Sequence, residues 1–254
     1  MFECGVKLEV RLETMASAAV YYHKFYRLHS PLQFDSSLVG ATCIYLAGKV
    51  EENHLKPRDL INVFTATIDK TRKGTPLEFD EHYWNLRDAI VNLELLLLRV
   101  LRFDVSSNHP HRFLLHYLRS LTEWLNLDYR TSVSFCQTCW AIVNDYFLHP
   151  KCLDHTPHHI AIAVVLMALE MLEIQVPHSI EALLCWNEAF CEDLSKEKIW
   201  EIISSILSVY EEEDLIFPNS ANSLSSKNSD GNLATLKQYL PSKVTDYKSD
   251  LLNS

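Results

Sequence analysis

Few groups in this chain have the types and spacing that chemistry would need. Cys136-Gln137-Thr138-Cys139 sets two thiols about one helical turn apart, the spacing of a redox or metal pair. No second such pair and no strand–helix–strand pattern accompanies it, so it reads as two cysteines within a helix. His155, His158 and His159 cluster at a helix start. His158 and His159 are adjacent, which on a helix points them about 100° apart, and they read as surface and loop histidines. His109-Pro110-His111 reads as another helix start, with Asn108 or His109 as cap. The sequence contains no glycine-rich phosphate loop, zinc-protease helix or nucleophile elbow. No catalytic residue, cofactor or metal site is expected.

Two polar residues stand out because of where they fall. Lys49 ends a long apolar run, and Glu94 lies inside Leu93-Glu94-Leu95-Leu96-Leu97-Leu98. A carboxylate there is costly unless it is paired. Lys49 is also explained as a favourable charge at a helix C-terminus, and Glu94 as part of a solvent-facing stripe with Arg87. A joint reading puts both on one surface patch bounded by Val50, Phe103 and Val105. There they could grip a partner's free backbone carbonyl and amide groups, with the apolar neighbours supplying buried area.

The elements that must position these residues read as helices throughout. Helices are expected over 14–29, 35–51, 57–67 and 79–101, then over 110–125, 130–147, 157–173, 179–190 and 196–210. Asp35 or Ser36 caps the second of these, and Pro57 suits the first position of the third. Residues 35–51 are apolar on most sides, which marks a central, surrounded helix. Gly40, Ala41, Ala47 and Gly48 make sense there only if other backbones crowd against them. Residues 68–78 form a polar loop. A faint repeat at an offset of 121 residues aligns Val39-Gly40-Ala41-Thr42 with Ile160-Ala161-Ile162-Ala163, with Glu170 at the Lys49 position. The coarse picture is about ten helices in two groups, split near residue 106. From Pro218 the chain turns Ser/Asn-rich and reads as a disordered tail.

Composition narrows the function. The chain has 254 residues, 48% of them hydrophobic, and only 5 glycines, which suits helices joined by short loops. Its formal charge is −10. The tail carries one excess positive charge, leaving the rest at about −11, the wrong sign for a nucleic-acid binder. The 7 cysteines are an odd, scattered set with no secretory signal, so reduced thiols in an intracellular setting, nucleus or cytoplasm, are expected. No apolar run approaches the roughly 18 residues of a membrane span.

Three stretches carry a family resemblance. Residues 36–52, SSLVGATCIYLAGKVEE, resemble the central helix of the cyclin box with its LA(A/G/S)K(V/F)EE ending. Residues 92–105, NLELLLLRVLRFDV, resemble the fifth helix of that box. Residues 108–116, NHPHRFLLH, resemble the start of the second box in transcription-type cyclins, whose long polar insert 68–78 also matches. The resemblance covers about residues 1–215 and implies an all-α fold of two tandem five-helix boxes, 1–106 and 107–215, followed by a tail, 216–254. It implies a non-catalytic subunit that forms a heterodimer with a cyclin-dependent protein kinase, the tenth of that group, and activates it allosterically. Lys49 and Glu94 are then the residues that hold the kinase's regulatory helix and the loop before it, with Val50, Phe103 and Val105 as apolar neighbours. The family's first box begins with a further helical segment and a substrate-docking patch. This chain starts at Met1-Phe2-Glu3-Cys4-Gly5, partway through that helix, so no docking patch is assigned. The rival readings are a DNA-binding general transcription factor of the same architecture and a helical scaffold with no kinase partner.

Overall fold

A computed structural model describes residues 1–69, 76–176, 190–191 and 193–216. Every regular element among them is helical. The chain divides into two compact units, Met1–His109 and Pro110–Ser254.

In the first unit, α1 (Phe2–Lys7) and α2 (Leu12–Leu28) lead into α3 (Ser36–Val50), followed by α4 (Pro57–Ile68) and α5 (Glu81–Val100). The helix starts follow local chemistry. The Asp35 carboxylate accepts from the Ser37 amide at 3.0 Å, and Asp80 accepts from the Tyr83 amide at 2.9 Å. Each satisfies an amide that the first turn leaves without a helical partner. Asp80 therefore starts α5 at Glu81, two residues later than the sequence suggested. α3 is the central helix: α2, α4 and α5 all pack on it, and the side chains of Val39, Ala41, Cys43, Ile44, Leu46 and Ala47 are buried. Each large aliphatic side chain among them contributes about 1.5–3 kcal/mol by leaving water.

The crowding expected at the small residues of α3 is real at one end only. A Cβ on Gly48 would meet the Asn53 carbonyl oxygen at 2.8 Å, because the chain folds back across the helix end. A Cβ on Gly40 would meet nothing closer than Met1 Cβ at 3.5 Å, an ordinary contact.

In the second unit, α6 (Pro110–Leu125) and α7 (Tyr129–Tyr146) are followed by a 3-10 turn at Pro150–Leu153, α8 (Pro157–Met171) and α9 (Lys196–Ile216). α8 is the centre here, with α6, α7 and α9 packed on it and its run from Ile160 to Val165 buried. The repeat between residues 39–42 and 160–163 thus pairs the central helices of the two units. His111 lies in the core beside α7: its Nε2 is 3.1 Å from Asn144 Oδ1 and its ring stacks on Phe147 at 5.6 Å.

The first unit ends at His109, whereas the sequence placed the split near 106. The reason is a side-chain bond: His109 Nε2 lies 2.7 Å from Ser17 Oγ on α2, and the ring is buried. The helix expected over 179–190 and the Ser/Asn-rich tail fall, apart from Phe190, outside the described residues. Among the described residues no helix is long and apolar enough to cross a membrane.

Candidate functional site

α3 delivers Lys49 from its last turn, and α5, packed against it, delivers Glu94 from its middle. The Lys49 ammonium donates to both carboxylate oxygens of Glu94, at 2.7 and 2.8 Å. It also sits 4.2 Å from the centre of the Tyr45 ring, one turn back on α3, a cation–π contact. The two partners differ in exposure. The Glu94 side chain is 11% exposed and that of Lys49 is 47% exposed. The solvent-stripe explanation for Glu94 is therefore replaced: the carboxylate is buried and Lys49 is the cation that makes its burial tolerable.

This geometry has a chemical consequence. An ammonium has three N–H donors, and two of them point at Glu94. The carboxylate and the Tyr45 ring fix where the ammonium stands, and the exposed side leaves one donor for an acceptor arriving from outside. Glu94 in turn keeps acceptor capacity beyond the two bonds it receives.

The apolar neighbours are unequally placed. Val50 and Val105 are half-buried against the core. Phe103 is 68% exposed. Arg102 and Phe103 follow the C-terminal end of α5 with φ of 55° and 60°, and the Phe103 amide closes the turn on the Leu98 carbonyl at 2.9 Å. Two successive non-glycine residues in the left-handed region cost roughly 1–2 kcal/mol each. Glu9, Glu52, Asn126 and Glu173 adopt the same backbone just past other helix ends, so it marks a helix stop. Val91 and Leu95 on α5, one turn before Glu94 and directly after it, are also exposed, and sequence reading passed over both. Their signal was the i,i+4 spacing of 91 and 95, which makes the two branched aliphatics neighbours on one face of α5.

A second polar cluster also went unread. Ser17 donates to Glu51 Oε1, Arg11 Nη2 donates to the Glu51 carbonyl at 2.8 Å, and His109 Nε2 lies 3.9 Å from Glu51 Oε1. Tyr21 donates its hydroxyl to the Val105 carbonyl at 2.6 Å. Burial, reinforced by the Glu51 carboxylate, pushes the Tyr21 phenol up to about 12. These bonds tie residues 105–109 to α2 and hold Val105 in place. Ser17 gave a hint as a hydroxyl within Ala16-Ser17-Ala18-Ala19, but its partners lie 34 and 92 residues away.

The thiol pair and the histidine cluster remain. Cys139 is buried and Cys136 half-buried, and burial raises both thiols above their ordinary value; both are free cysteines. His158 and His159 do not diverge. Their ring centres are 4.2 Å apart, because the side-chain torsions overcome the angular separation of the backbone.

Residues 1–106 match the family described as "Cyclin, N-terminal domain". Over 212 residues the chain is 31% identical to Cyclin-K of Danio rerio and 32% identical to Cyclin-K of Homo sapiens, covering 83% of this chain but 48% and 35% of those proteins. Cyclin pch1 of Schizosaccharomyces pombe is 29% identical over 206 residues, covering 81% of this chain and 58% of that protein. The chain thus spans about half, or less, of the Cyclin-K proteins that it matches. The fold resembles a chain of the yeast RNA Pol II CTD kinase CTDK-1 complex, with a TM-score of 0.64 at 17% identity over 98% of this chain and 72% of that one. It also resembles a chain of the CAK complex of Chaetomium thermophilum, with a TM-score of 0.59 at 18% identity over 83% of this chain and 59% of that one. These similarities support the cyclin family, transcription type.

Proposed function

We propose that this chain, with its cyclin N-terminal domain, is the regulatory subunit of a cyclin-dependent protein kinase and activates that kinase without chemistry of its own. The observation that carries the reading is the Lys49–Glu94 pair. A half-exposed ammonium is held by a buried carboxylate, and the same unit exposes Phe103, Val91 and Leu95 on and just after the helix that carries Glu94.

The mechanism is a population shift. An isolated kinase of this class holds its regulatory helix outward, so that the helix glutamate does not reach the strand lysine that orients the ATP phosphates. A subunit that binds only the inward state draws the equilibrium toward it. Moving it from 1:99 to 99:1 needs about 10⁴-fold preferential binding, or about 5.5 kcal/mol. A fixed ammonium donor supplies direction, and the exposed phenyl and aliphatic groups supply area.

We read the stretches 4–11, 21–29, 44–63, 84–106 and 109–126 as resembling cyclin-Q, which directs the partner proposal to the tenth cyclin-dependent kinase. The complex is then a heterodimer in the nucleus, the cytoplasm or both. Binding to a panel of purified cyclin-dependent kinases, the tenth among them, tests the reading, with retention on heparin as the counter-assay. Saturable binding of one kinase supports it. Tight heparin retention at moderate salt with no kinase bound would leave the DNA-binding alternative standing instead.

A further inference from the structure

The second unit contains a group of side chains that the kinase reading does not use. His158 and His159, in the first turn of α8, meet Cys191 from the segment that leads into α9, with one ligand atom from each within 4.8 Å of the others. Cys191 is a free cysteine. His159 Nε2 is buried and has no hydrogen-bond partner, a condition that calls for a missing water or ion. Aromatic rings line the surroundings: Phe113 lies 5.9 Å from the His158 ring, and Tyr117 lies 4.6 Å from the Phe190 ring.

We propose that His158, His159 and Cys191 form a zinc site that ties the N-terminus of α8 to the segment before α9. Two imidazoles and one thiolate are the donor set that borderline-soft Zn²⁺ prefers, and a fourth position is left for water or a carboxylate. In a tetrahedral site, with Zn–N of about 2.0–2.1 Å and Zn–S of about 2.3 Å, donor atoms stand roughly 3.3–3.7 Å apart. The three groups therefore need to close by at most about 1.5 Å, within reach of side-chain rotations.

The electrostatics are consistent with this. Burial first, and then His158 and Lys198, lower the proton affinity of His159. The Asp193 carboxylate acts on that ring in the opposite direction, raising its proton affinity. Lys198 and the positive end of α8 oppose a cation. The Cys191 thiolate offsets them, formed when the metal displaces the thiol proton to solvent. No electron is transferred.

The test uses the full chain, kept reduced with a phosphine, stripped with a chelator, and reloaded with Co²⁺ or Zn²⁺ alone. One equivalent of Co²⁺ is expected to give visible tetrahedral bands and a thiolate-to-cobalt charge-transfer band, both abolished by Zn²⁺. Cys191→Ser removes the charge-transfer band, and His159→Gln weakens Zn²⁺ binding by at least about tenfold in competition with a chromogenic chelator. Cys136→Ser leaves both intact. A measurement without variants runs in parallel: Zn²⁺ slows alkylation of Cys191 in the wild-type chain and leaves that of Cys136 unchanged. A wild-type chain with no charge-transfer band and no protection of Cys191 overturns the proposal. So does a band that survives Cys191→Ser or disappears in Cys136→Ser.

Discussion

Removing either partner of the Lys49–Glu94 pair breaks the same two hydrogen bonds, yet the two losses differ in cost. Lys49→Ala strands a carboxylate that is 11% exposed, whereas Glu94→Ala strands an ammonium that is 47% exposed and readily hydrated. Breaking a fully buried pair costs about 3–5 kcal/mol, and an exposed pair is worth about 0–1 kcal/mol. With one partner buried and the other half in water, Lys49→Ala should cost about 2 kcal/mol. Glu94→Ala should cost about 1 kcal/mol, mostly lost packing. The double variant should cost less than the sum, with a coupling of about 1 kcal/mol. Urea unfolding of the four proteins, followed by circular dichroism, measures all three quantities. A Glu94→Ala cost above that of Lys49→Ala, or additive single costs, would refute the assignment of Lys49 as the cation that compensates the buried Glu94.

Three other outcomes follow from the packing. Gly48→Ala should destabilise by about 1–3 kcal/mol, because its methyl meets the Asn53 carbonyl, whereas Gly40→Ala should be neutral or stabilising by up to about 1 kcal/mol; urea midpoints distinguish them. Tyr21→Phe should cost about 1 kcal/mol by orphaning the Val105 carbonyl, and should speed amide exchange over 105–109. The wild-type Tyr21 phenol is raised from 10.0 to about 12, so above pH 10 the unfolded chain ionises first; its contribution to stability is complete below pH 10 and fades toward pH 12, and Tyr21→Phe should flatten that part of the alkaline stability profile. Phe103→Asn should leave stability within about 0.5 kcal/mol, since the ring is exposed and Asn tolerates the left-handed backbone. The same change should weaken kinase binding by at least about fivefold, or 1 kcal/mol, as read by titration calorimetry.

The parts of this structure that sequence made legible are those set by near neighbours in the chain. The Asp35 cap, Pro57 at a helix start and the all-round apolar surface of residues 35–51 are local facts, and the helices fall where they indicate. Lys49 and Glu94 were legible as anomalies, because a charge inside an apolar run needs compensation. That each compensates the other was not legible: they are 45 residues apart, and periodicity carries no information on which helices touch. The same distance concealed the Ser17, Glu51 and His109 cluster. His158 and His159 failed for a different reason. The helical wheel places Cα–Cβ directions, whereas rings two bonds further out converge or diverge according to their torsions. Phe103 was named as a boundary of the Lys49–Glu94 patch, but its left-handed backbone had no glycine or asparagine to announce it.

The central claim is that a fixed, outward-facing Lys49 ammonium helps to switch on a kinase. Its most direct test is the rate at which the tenth cyclin-dependent kinase phosphorylates a peptide, with the wild-type chain beside the reciprocal variant Lys49→Glu/Glu94→Lys. The exchange keeps an internal ion pair and inverts the charge presented outward. The account predicts strong stimulation by the wild type and at least about tenfold less by the exchanged chain, equally folded by circular dichroism. Equal stimulation by both, or a folded wild type that binds the kinase and leaves its rate unchanged, would contradict it.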